Sequence, residues 1–377
     1  MDRGRILVVT MVRNECDIIE AFVRHHAAIA DRLWVLLHAS SDTTAVILER
    51  LAGEGLPVTV ERDDAPALAK EARFNALIDR ALVADPAEYI LPLDADEFVL
   101  PADRGALLRE LAALPAGGAL MVPWRTYLPH RDDDPGEPNP LRRLSHRRRS
   151  EPKPIAKAFV PRASFRRPEI ALVDGQHALS HRDGAAIAHV EARALVLAHF
   201  PIRSPEQFVT KIVIGWLARR LSPDRIADHS AEWRRWYERL APDFLIAPDA
   251  LPAMAAEYYG VDATELVYDP VAPATPLAHG DLIALSPLGR VVALADSLVD
   301  RLGRADDALR DGGLDRAAVE SMLAERAALR VEVRQFRRDI TEVGHLRRRL
   351  ARAQRRAIVA ALIALAALAA LAAVLLR

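Results

Sequence analysis

The stretch YILPLDADEF, residues 89–98, decides how the rest of this 377-residue chain is interpreted. It begins as an apolar strand and then places three carboxylates, Asp94, Asp96 and Glu97, within four positions. Carboxylates crowded at the end of a buried strand are costly unless a positive charge neutralises them. A divalent cation would do so, and oxygen ligands favour a hard ion such as Mg²⁺ or Mn²⁺. The alternatives for so short a motif are a solvated acidic turn and a helix N-cap at Asp96.

The residues before this stretch alternate between strand and helix patterns. Apolar runs predict buried strands at 6–12, 33–37, 57–61 and 89–93. Amphipathic spacing predicts helices between them, at 17–30, from the turn at 40–44 to about residue 52, and at 67–84. This alternation is typical of βαβ units and predicts an α/β fold, with a mostly parallel, Rossmann-like sheet flanked by helices.

Polar clusters follow three of the predicted strands, at residues 13–15, 40–42 and 94–96. Ligands of parallel sheets bind at the carboxyl ends of the strands. We therefore expect the three clusters to form one site.

Composition excludes some classes of protein. The formal net charge is -1, so no overall basic character indicates a nucleic-acid partner. Cys16 is the only cysteine, which rules out an intrachain disulfide and favours a reducing compartment. The N-terminal apolar run, about seven residues, is too short for a signal-peptide core.

The C-terminal residues have a different character. Residues 357–376 are uninterrupted apolar residues, long enough for a helix to cross a bilayer, and a cluster of arginines precedes them. Because positive charge stays on the cytoplasmic side, this pattern predicts a single-pass tail anchor with the catalytic domain in the cytoplasm. A buried or oligomerising Ala-rich helix is the alternative.

A heptad of apolar residues occupies 319–350, with seam residues at Met322, Leu329, Phe336, Val343 and Leu350. The pattern favours a coiled coil and hence a possible homodimer, although one amphipathic helix packed on its own domain remains open. The expected organisation is a catalytic domain at 1–221, a mixed helical extension at 222–300, a stalk at 301–352 and the anchor at 357–376. Residues 130–154 have no apolar period and predict a long loop, either a mobile lid or a surface excursion.

Several segments together resemble the bacterial family 2-like glycosyltransferases. They are the opening MVRNECDIIE (11–20), the turn SSDTT (40–44), RFN (73–75), DADEF (94–98), KAFV (157–160), GQH (175–177) and HFPIRSPEQFVTK (199–211). The resemblance covers roughly residues 5–215.

This resemblance implies a GT-A fold and a metal-dependent, inverting transfer of sugar from a nucleotide-diphosphate sugar. It implies that Asp96 and Asp94 bind the metal, Asp94 with a possible ribose contact, and that His177 or His199 completes the coordination. An imidazole ligand favours Mn²⁺ over Mg²⁺. The remaining donor contacts implied by the matching segments are Arg13, Asn14, Glu15, Asp42, Arg73 and Asn75.

Two basic residues in the last segment, Arg203 and Lys211, are candidate diphosphate ligands, with a solvated helix face as the alternative. Ser204 is predicted to cap the helix that starts at Pro205. An inverting reaction also needs a general base. Glu97 is our choice because it adjoins the metal motif, and the other candidates are Asp132, Asp133, Asp134, Asp174 and Asp183.

The sequence departs from the family pattern at two places. His38 stands at the end of the second strand, where related enzymes often carry an Asp for the base, and Thr43 replaces the usual Gly of the turn. We expect an enzyme that glycosylates a glycan or lipid-linked acceptor at the cytosolic membrane face. The alternative is a non-catalytic, membrane-tethered scaffold that binds a nucleotide or glycan. A nucleotidyltransferase ranks last because no Gly-rich loop follows the first strand.

Overall fold

A computed structural model describes ten stretches of the chain, residues 4–63, 70–115, 117–152, 155–165, 170–181, 187–220, 227–240, 244–262, 265–271 and 276–283. Almost all of them belong to one compact unit, Met1–Leu240 with Leu245–Pro287. The predicted stalk at 301–352 and anchor at 357–376 lie outside the described residues. None of the described helices is long and apolar enough to cross a membrane.

Strands and helices alternate through the first half of the unit. The strands are β1 (Ile6–Val12), β2 (Arg32–His38), β3 (Val58–Asp63), β4 (Tyr89–Pro92), β5 (Glu97–Leu100), β6 (Ala119–Thr126), β7 (His146–Arg148), β8 (Ala156–Pro161), β9 (Ile170–Leu172), β10 (Leu179–His181), β11 (His189–Glu191), β12 (Val196–His199) and β13 (Leu266–Tyr268). The helices are α1 (Ile19–Ala27), α2 (Thr44–Gly53), α3 (Lys70–Ala84), α4 (Arg104–Ala112), α5 (Pro140–Arg143), α6 (Arg162–Phe165), α7 (Pro205–Arg220), α8 (Ala227–Leu240) and α9 (Leu251–Tyr259). The four predicted strands and three predicted helices before Asp94 are thus confirmed.

A nine-stranded sheet forms the centre, in the order β3-β2-β1-β4-β8-β6-β12-β5, with β11 beside β6. Strands β1 to β4 run parallel to one another, as predicted. The rest of the sheet is mixed, because β8 runs antiparallel to β4 and β6, and β5 runs antiparallel to β12. The expectation of a mostly parallel sheet therefore holds for the first four strands only.

Residues of β1 alternate between the two faces of the sheet. Ile6 and Val8 belong to a cluster that includes Phe22 of α1, whereas Leu7 and Val9 pack in a cluster with Phe74 of α3. Because both faces are covered by helices, every residue of this strand is apolar except Thr10, and the strand reads as a continuous hydrophobic run.

The segment predicted as a long loop at 130–154 is partly ordered into secondary structure, so that prediction is wrong in this respect. It contains α5 and β7, and β7 pairs with β13 from the extension. Further backbone contacts join the extension to the sheet domain, since Ala278 and His279 donate to Glu20 at 2.6 and 2.9 Å. Apart from Phe244, the described part of the extension thus lies within the same compact unit.

Candidate functional site

The acidic motif lies between β4 and β5, at the end of the parallel half of the sheet. The backbone N–H of Phe200 donates to the carbonyl of Asp96 at 2.8 Å, and β12 pairs with β5 so that His199 is opposite Glu97. These contacts hold the motif against the end of β12. As a result, His199 Nε2 lies 3.7 Å from Asp96 Oδ2.

Lys157 is a fully buried cation behind the motif. Its Nζ donates to Asp94 Oδ2 at 2.8 Å and to Gln176 Oε1 at 2.9 Å, and it lies 3.4 Å from Glu97 Oε2. Glu97 is itself fully buried and accepts from the backbone N–H of Asp94 at 2.9 Å. Burial raises the pKa of Glu97 to about 8, against the lowering effect of Lys157. Lys157 and Glu97 therefore hold Asp94 in position from the buried side of the motif.

His199 is held as a neutral imidazole. Its ring stacks on Trp124 with centroids 4.0 Å apart, and its side chain is 8% exposed. Burial lowers its pKa to about 4, although Asp96 opposes that shift. Because only the neutral ring can bind a metal, this environment leaves Nε2 suited to coordination beside Asp96 at ordinary pH.

Arg203 is buried, and its guanidinium is already bonded to other groups of the protein. Its guanidinium donates to both carboxylate oxygens of Asp17 at 2.8 and 3.0 Å and to Glu15 at 2.5 Å. Burial opposes its charge, but Asp17 and Glu15 more than offset this and raise its pKa above the ordinary value. The guanidinium therefore joins the loop after β1 to the start of α7, and its placement does not favour the predicted contact with a diphosphate.

Lys211 of α7 is half-buried. Its Nζ donates to the carbonyl of Pro201 at 2.9 Å. Burial lowers its pKa, while the charges of Asp96, Glu15 and Asp94 raise it, so these groups are electrostatic neighbours. Helix α7 begins as predicted, since Ser204 Oγ accepts from the N–H of Gln207 at 3.1 Å. A capped helix thus presents Lys211 towards the acidic motif.

The loops after β1 and β2 are bonded to each other, as their shared position in the sheet led us to expect. Asn14 has a φ of 57° and accepts from the N–H of Ser41 at 2.8 Å. Asp42 accepts from the N–H of Cys16 at 3.1 Å and of Thr44 at 3.0 Å. Asn14 and Asp42, two of the residues predicted to contact the sugar donor, therefore also shape these loops. Arg13 lies at the same edge of the sheet.

Arg73 and Asn75, which were also predicted to contact the sugar donor, lie further along the sheet. Arg73 forms an ion pair with Asp63 at the end of β3. The amide of Asn75 exchanges two hydrogen bonds of 3.0 Å with the backbone of Leu172. The amide of Asn75 is thus used in joining α3 to β9.

His177 approaches the site from a glycine turn. Its Nδ1 donates to the carbonyl of Ala156 at 2.9 Å, and its ring meets the edge of Trp124 with centroids 5.2 Å apart. Gly175 has a φ of 76°, and a Cβ there would lie 2.5 Å from the His177 ring. Trp124 therefore contacts both candidate histidines, and the glycine is required for this turn.

The acidic candidates for a general base are distributed over different environments. Asp132 and Asp134 are exposed, whereas burial raises the pKa of Asp133 to about 6. Asp133 also lines a cavity of about 530 Å³, next to Arg203 and Ser204. Asp183 lies outside the described residues, as does the side chain of Asp174.

Three functional contacts could not be assigned from the sequence alone: Lys157 on Asp94, Gln176 on Lys157, and Trp124 on His199. A lysine within the apolar run 156–160 was the available signal, because a buried lysine requires an anionic partner. Among the described residues, Asp94, Asp96 and His199 do not bring three ligand atoms within 4.8 Å of one another. The pair formed by Asp96 and His199 is the part of the predicted metal site that the structure brings together.

No family model and no curated protein matches this sequence. Its fold overlaps several solved structures at low identity. The mannosyltransferase PcManGT from Pyrobaculum calidifontis, in complex with GDP-Man and Mn²⁺, is 16% identical, with 90% of this chain and 85% of that chain covered and a TM-score of 0.36. Residues 1–349 of S. aureus TarS are 12% identical, with 62% and 70% covered and a TM-score of 0.32.

Glucosyl-3-phosphoglycerate synthase from Mycobacterium tuberculosis, in complex with Mn²⁺, UDP and glucosyl-3-phosphoglycerate, is a third neighbour. It is 19% identical over 33% of this chain and 44% of that chain, with a TM-score of 0.22. Overlaps with TM-scores of this size assign no activity to this chain.

Proposed function

We propose that this chain is a metal-dependent glycosyltransferase that uses a nucleotide-diphosphate sugar. The observation that carries the proposal is the neutral His199 with its Nε2 3.7 Å from Asp96, at the strand end where three polar loops meet. The motif resemblance over residues 5–215 supports the same conclusion. A GT-A-type fold is part of this proposal.

Two of the residues present, Asp96 and His199, are placed to hold a divalent ion, whereas Asp94 would have to approach them. Asp96 and His199 would hold it, with Asp94 as a further ligand, and an imidazole in the set favours Mn²⁺ over Mg²⁺. Because Nδ1 of His177 donates to the carbonyl of Ala156, the ligand atom of this histidine would be Nε2. When bound, such an ion supplies charge that stabilises a departing diphosphate.

The chain's own residues would organise the donor around that ion. Lys157 and Glu97 orient Asp94, because each bonds to it and neither is exposed. Lys211 supplies positive charge for the diphosphate, while Arg203 fixes the loop that carries Glu15. Asn14, Arg13 and Asp42 form the edge where base and ribose would bind.

The inverting outcome remains part of the proposal and requires a base at the acceptor. Complete burial and the contact with Asp94 favour a positioning role for Glu97 over proton abstraction. Asp133 fits the requirement better, because its pKa of about 6 is close to neutral pH and it lines a cavity.

We further propose a glycan or lipid-linked acceptor at the cytosolic membrane face, with the chain tethered by 357–376 and paired through the heptad at 319–350. The apolar run, the arginines before it and the heptad spacing support this part.

A panel of UDP- and GDP-sugars tests the function, with thermal unfolding measured with and without Mn²⁺. A donor at a hundred times its Kd should stabilise the protein by about 2.7 kcal/mol, and the effect should depend on the metal. Asp96→Ala and His199→Ala should lose the metal-dependent shift, whereas Asp79→Ala, at an exposed position on α3, should keep it.

Donor hydrolysis by the purified chain separates the enzyme from the scaffold. Slow, Mn²⁺-dependent release of the nucleotide that disappears in Asp96→Ala is expected of the transferase. Metal-dependent binding without any hydrolysis or transfer would favour the scaffold. Unchanged turnover in Asp96→Ala would overturn the metal assignment.

A further inference from the structure

A second group of potential metal ligands lies outside the site described above. His130, Asp132 and His146 each offer a ligand atom, and these atoms all lie within 4.8 Å of one another. His130 Nδ1 is 3.3 Å from Asp132 Oδ2. Ligands bound to a tetrahedral ion at about 2.0–2.1 Å are separated by roughly 3.3 Å, so this pair already has the spacing that such an ion requires.

The two imidazoles are placed together by the backbone. The N–H of Leu128 donates to the carbonyl of His146 at 3.0 Å, which joins the end of β6 to β7. The rings of His130 and His146 are stacked with centroids 3.8 Å apart and an angle of 25°. Because a nitrogen lone pair lies in the plane of its ring, the two side chains would rotate to direct one nitrogen of each ring at a common ion.

Neighbouring groups hold each ligand in position. The backbone N–H of His130 donates to Asp133 Oδ2 at 2.7 Å, and Ser145 Oγ lies 3.1 Å from His146 Nδ1. The first bond fixes the backbone at His130, and the second contacts the imidazole of His146 directly. Strand β7 is anchored through its pairing of His146 with Tyr268 in β13.

We infer that His130, Asp132 and His146 form a binding site for a transition-metal ion of the zinc class. Two imidazoles and one carboxylate suit Zn²⁺ better than the hard ions expected at Asp96, and three protein ligands leave a fourth position for water. The ion would tie the segment after β6 to β7. His130 and Arg203 line the same 530 Å³ cavity, so the ion would also fix one of its walls.

Metal titration of the full-length protein tests this inference, independently of any sugar transfer. Co²⁺ serves as the spectroscopic probe, and Zn²⁺ affinity is measured by competition with a chromophoric chelator. The wild-type protein should bind Zn²⁺ and displace Co²⁺ from a site with tetrahedral d–d absorption. His130→Ala and His146→Ala should each weaken Zn²⁺ binding by roughly tenfold or more.

Two control variants make the result specific. His189→Ala removes an exposed histidine on β11, and Asp96→Ala removes the proposed Mn²⁺ ligand; both should retain the Zn²⁺ site. His146→Gln provides a second substitution at the same position, with circular dichroism to confirm folding. Unchanged Zn²⁺ affinity in folded His130→Ala and His146→Gln would overturn the inference, as would loss of the site in Asp96→Ala.

Discussion

At the scale of single residues, Lys157 is the contact on which the acidic motif depends most. It has no exposed surface and bonds to Asp94, with Glu97 3.4 Å away. Removing one partner of a buried ion pair typically costs about 3–5 kcal/mol because the other charge stays buried. We expect Lys157→Met to lower the free energy of unfolding by about that amount, measured by urea denaturation.

The double variant Lys157→Met/Glu97→Gln is the informative companion. Without Lys157, any ionised fraction of Glu97 would be a buried charge with no cation beside it; a neutral amide at 97 removes that charge and can still accept from the N–H of Asp94. It should therefore recover part of the stability lost in Lys157→Met. Simple additivity of the two single changes would show that Lys157 and Glu97 are not coupled.

His25 and His26 make stability depend on pH. His25 Nε2 donates to the carbonyl of Val99 at 2.8 Å, and His26 Nδ1 donates to the carbonyl of Phe22 at 2.9 Å. Burial lowers the pKa of both rings, and for His26 the neighbouring His25 lowers it further. Both rings therefore stay neutral in the folded protein while they protonate in the unfolded chain, so stability is lost as the pH falls below about 6.5.

Urea unfolding between about pH 7.5 and 5.5 measures this dependence. Each histidine contributes a slope of up to about 1.4 kcal/mol per pH unit, and His26→Gln should remove one such contribution. His189→Gln, at an exposed histidine, should keep the wild-type slope. An undiminished slope in His26→Gln would contradict the prediction.

The residues of the site differ in how far the sequence could predict them. The carboxylates after β4 and the polar residues after β1 and β2 follow strands with clear apolar runs, so their meeting was predictable from parallel topology. Lys157 and Trp124 come from β8 and β6, whose positions depend on antiparallel pairing between distant segments. Local periodicity carries no information about such pairing, so the partners of these two residues could not be predicted, although a lysine in an apolar strand indicates an anionic partner.

At the scale of elements, the packing of α7 on α8 depends on a glycine. A methyl group added at Gly215 would overlap the ring of Trp233. Small-to-large changes in packed positions commonly cost about 1–3 kcal/mol. Gly215→Ala should therefore destabilise the protein despite the higher helix propensity of alanine, and thermal unfolding should show a lower Tm.

Gly53 in α2 supplies the matched control. A Cβ at this position has no other atom within 4 Å, so Gly53→Ala should be neutral or stabilising by up to about 1 kcal/mol. Equal effects of the two changes on Tm would show that Trp233 does not pack closely on Gly215.

Pairing with a distant strand explains why the segment predicted as a loop at 130–154 contains secondary structure. The segment is polar and has no apolar period, but it gains order from β13, which lies more than a hundred residues later in the chain. Buried Leu141 and Leu144 anchor it to the core. Two apolar residues within a charged segment are too weak a signal to predict packing of this kind.

At the scale of the whole molecule, the remaining prediction concerns the C-terminal residues and their separation from the site. All residues proposed to bind the donor or the metal lie before residue 212, whereas the apolar run occupies 357–376. We expect a chain truncated after residue 356 to move from the carbonate-resistant membrane pellet to the supernatant. Its Mn²⁺-dependent thermal shift with the donor should match that of the full chain, because no proposed ligand is removed.

Replacing residues 357–376 by an unrelated apolar helix of the same length distinguishes anchoring from specific packing. A run that acts only through its hydrophobicity and length should be replaceable, so the exchanged chain should return to the membrane pellet. A truncated chain that still resists carbonate extraction would contradict the tail anchor. Loss of the donor-dependent shift on truncation, with folding intact, would instead show that these residues pack against the catalytic domain, the alternative that an Ala-rich helix also allows.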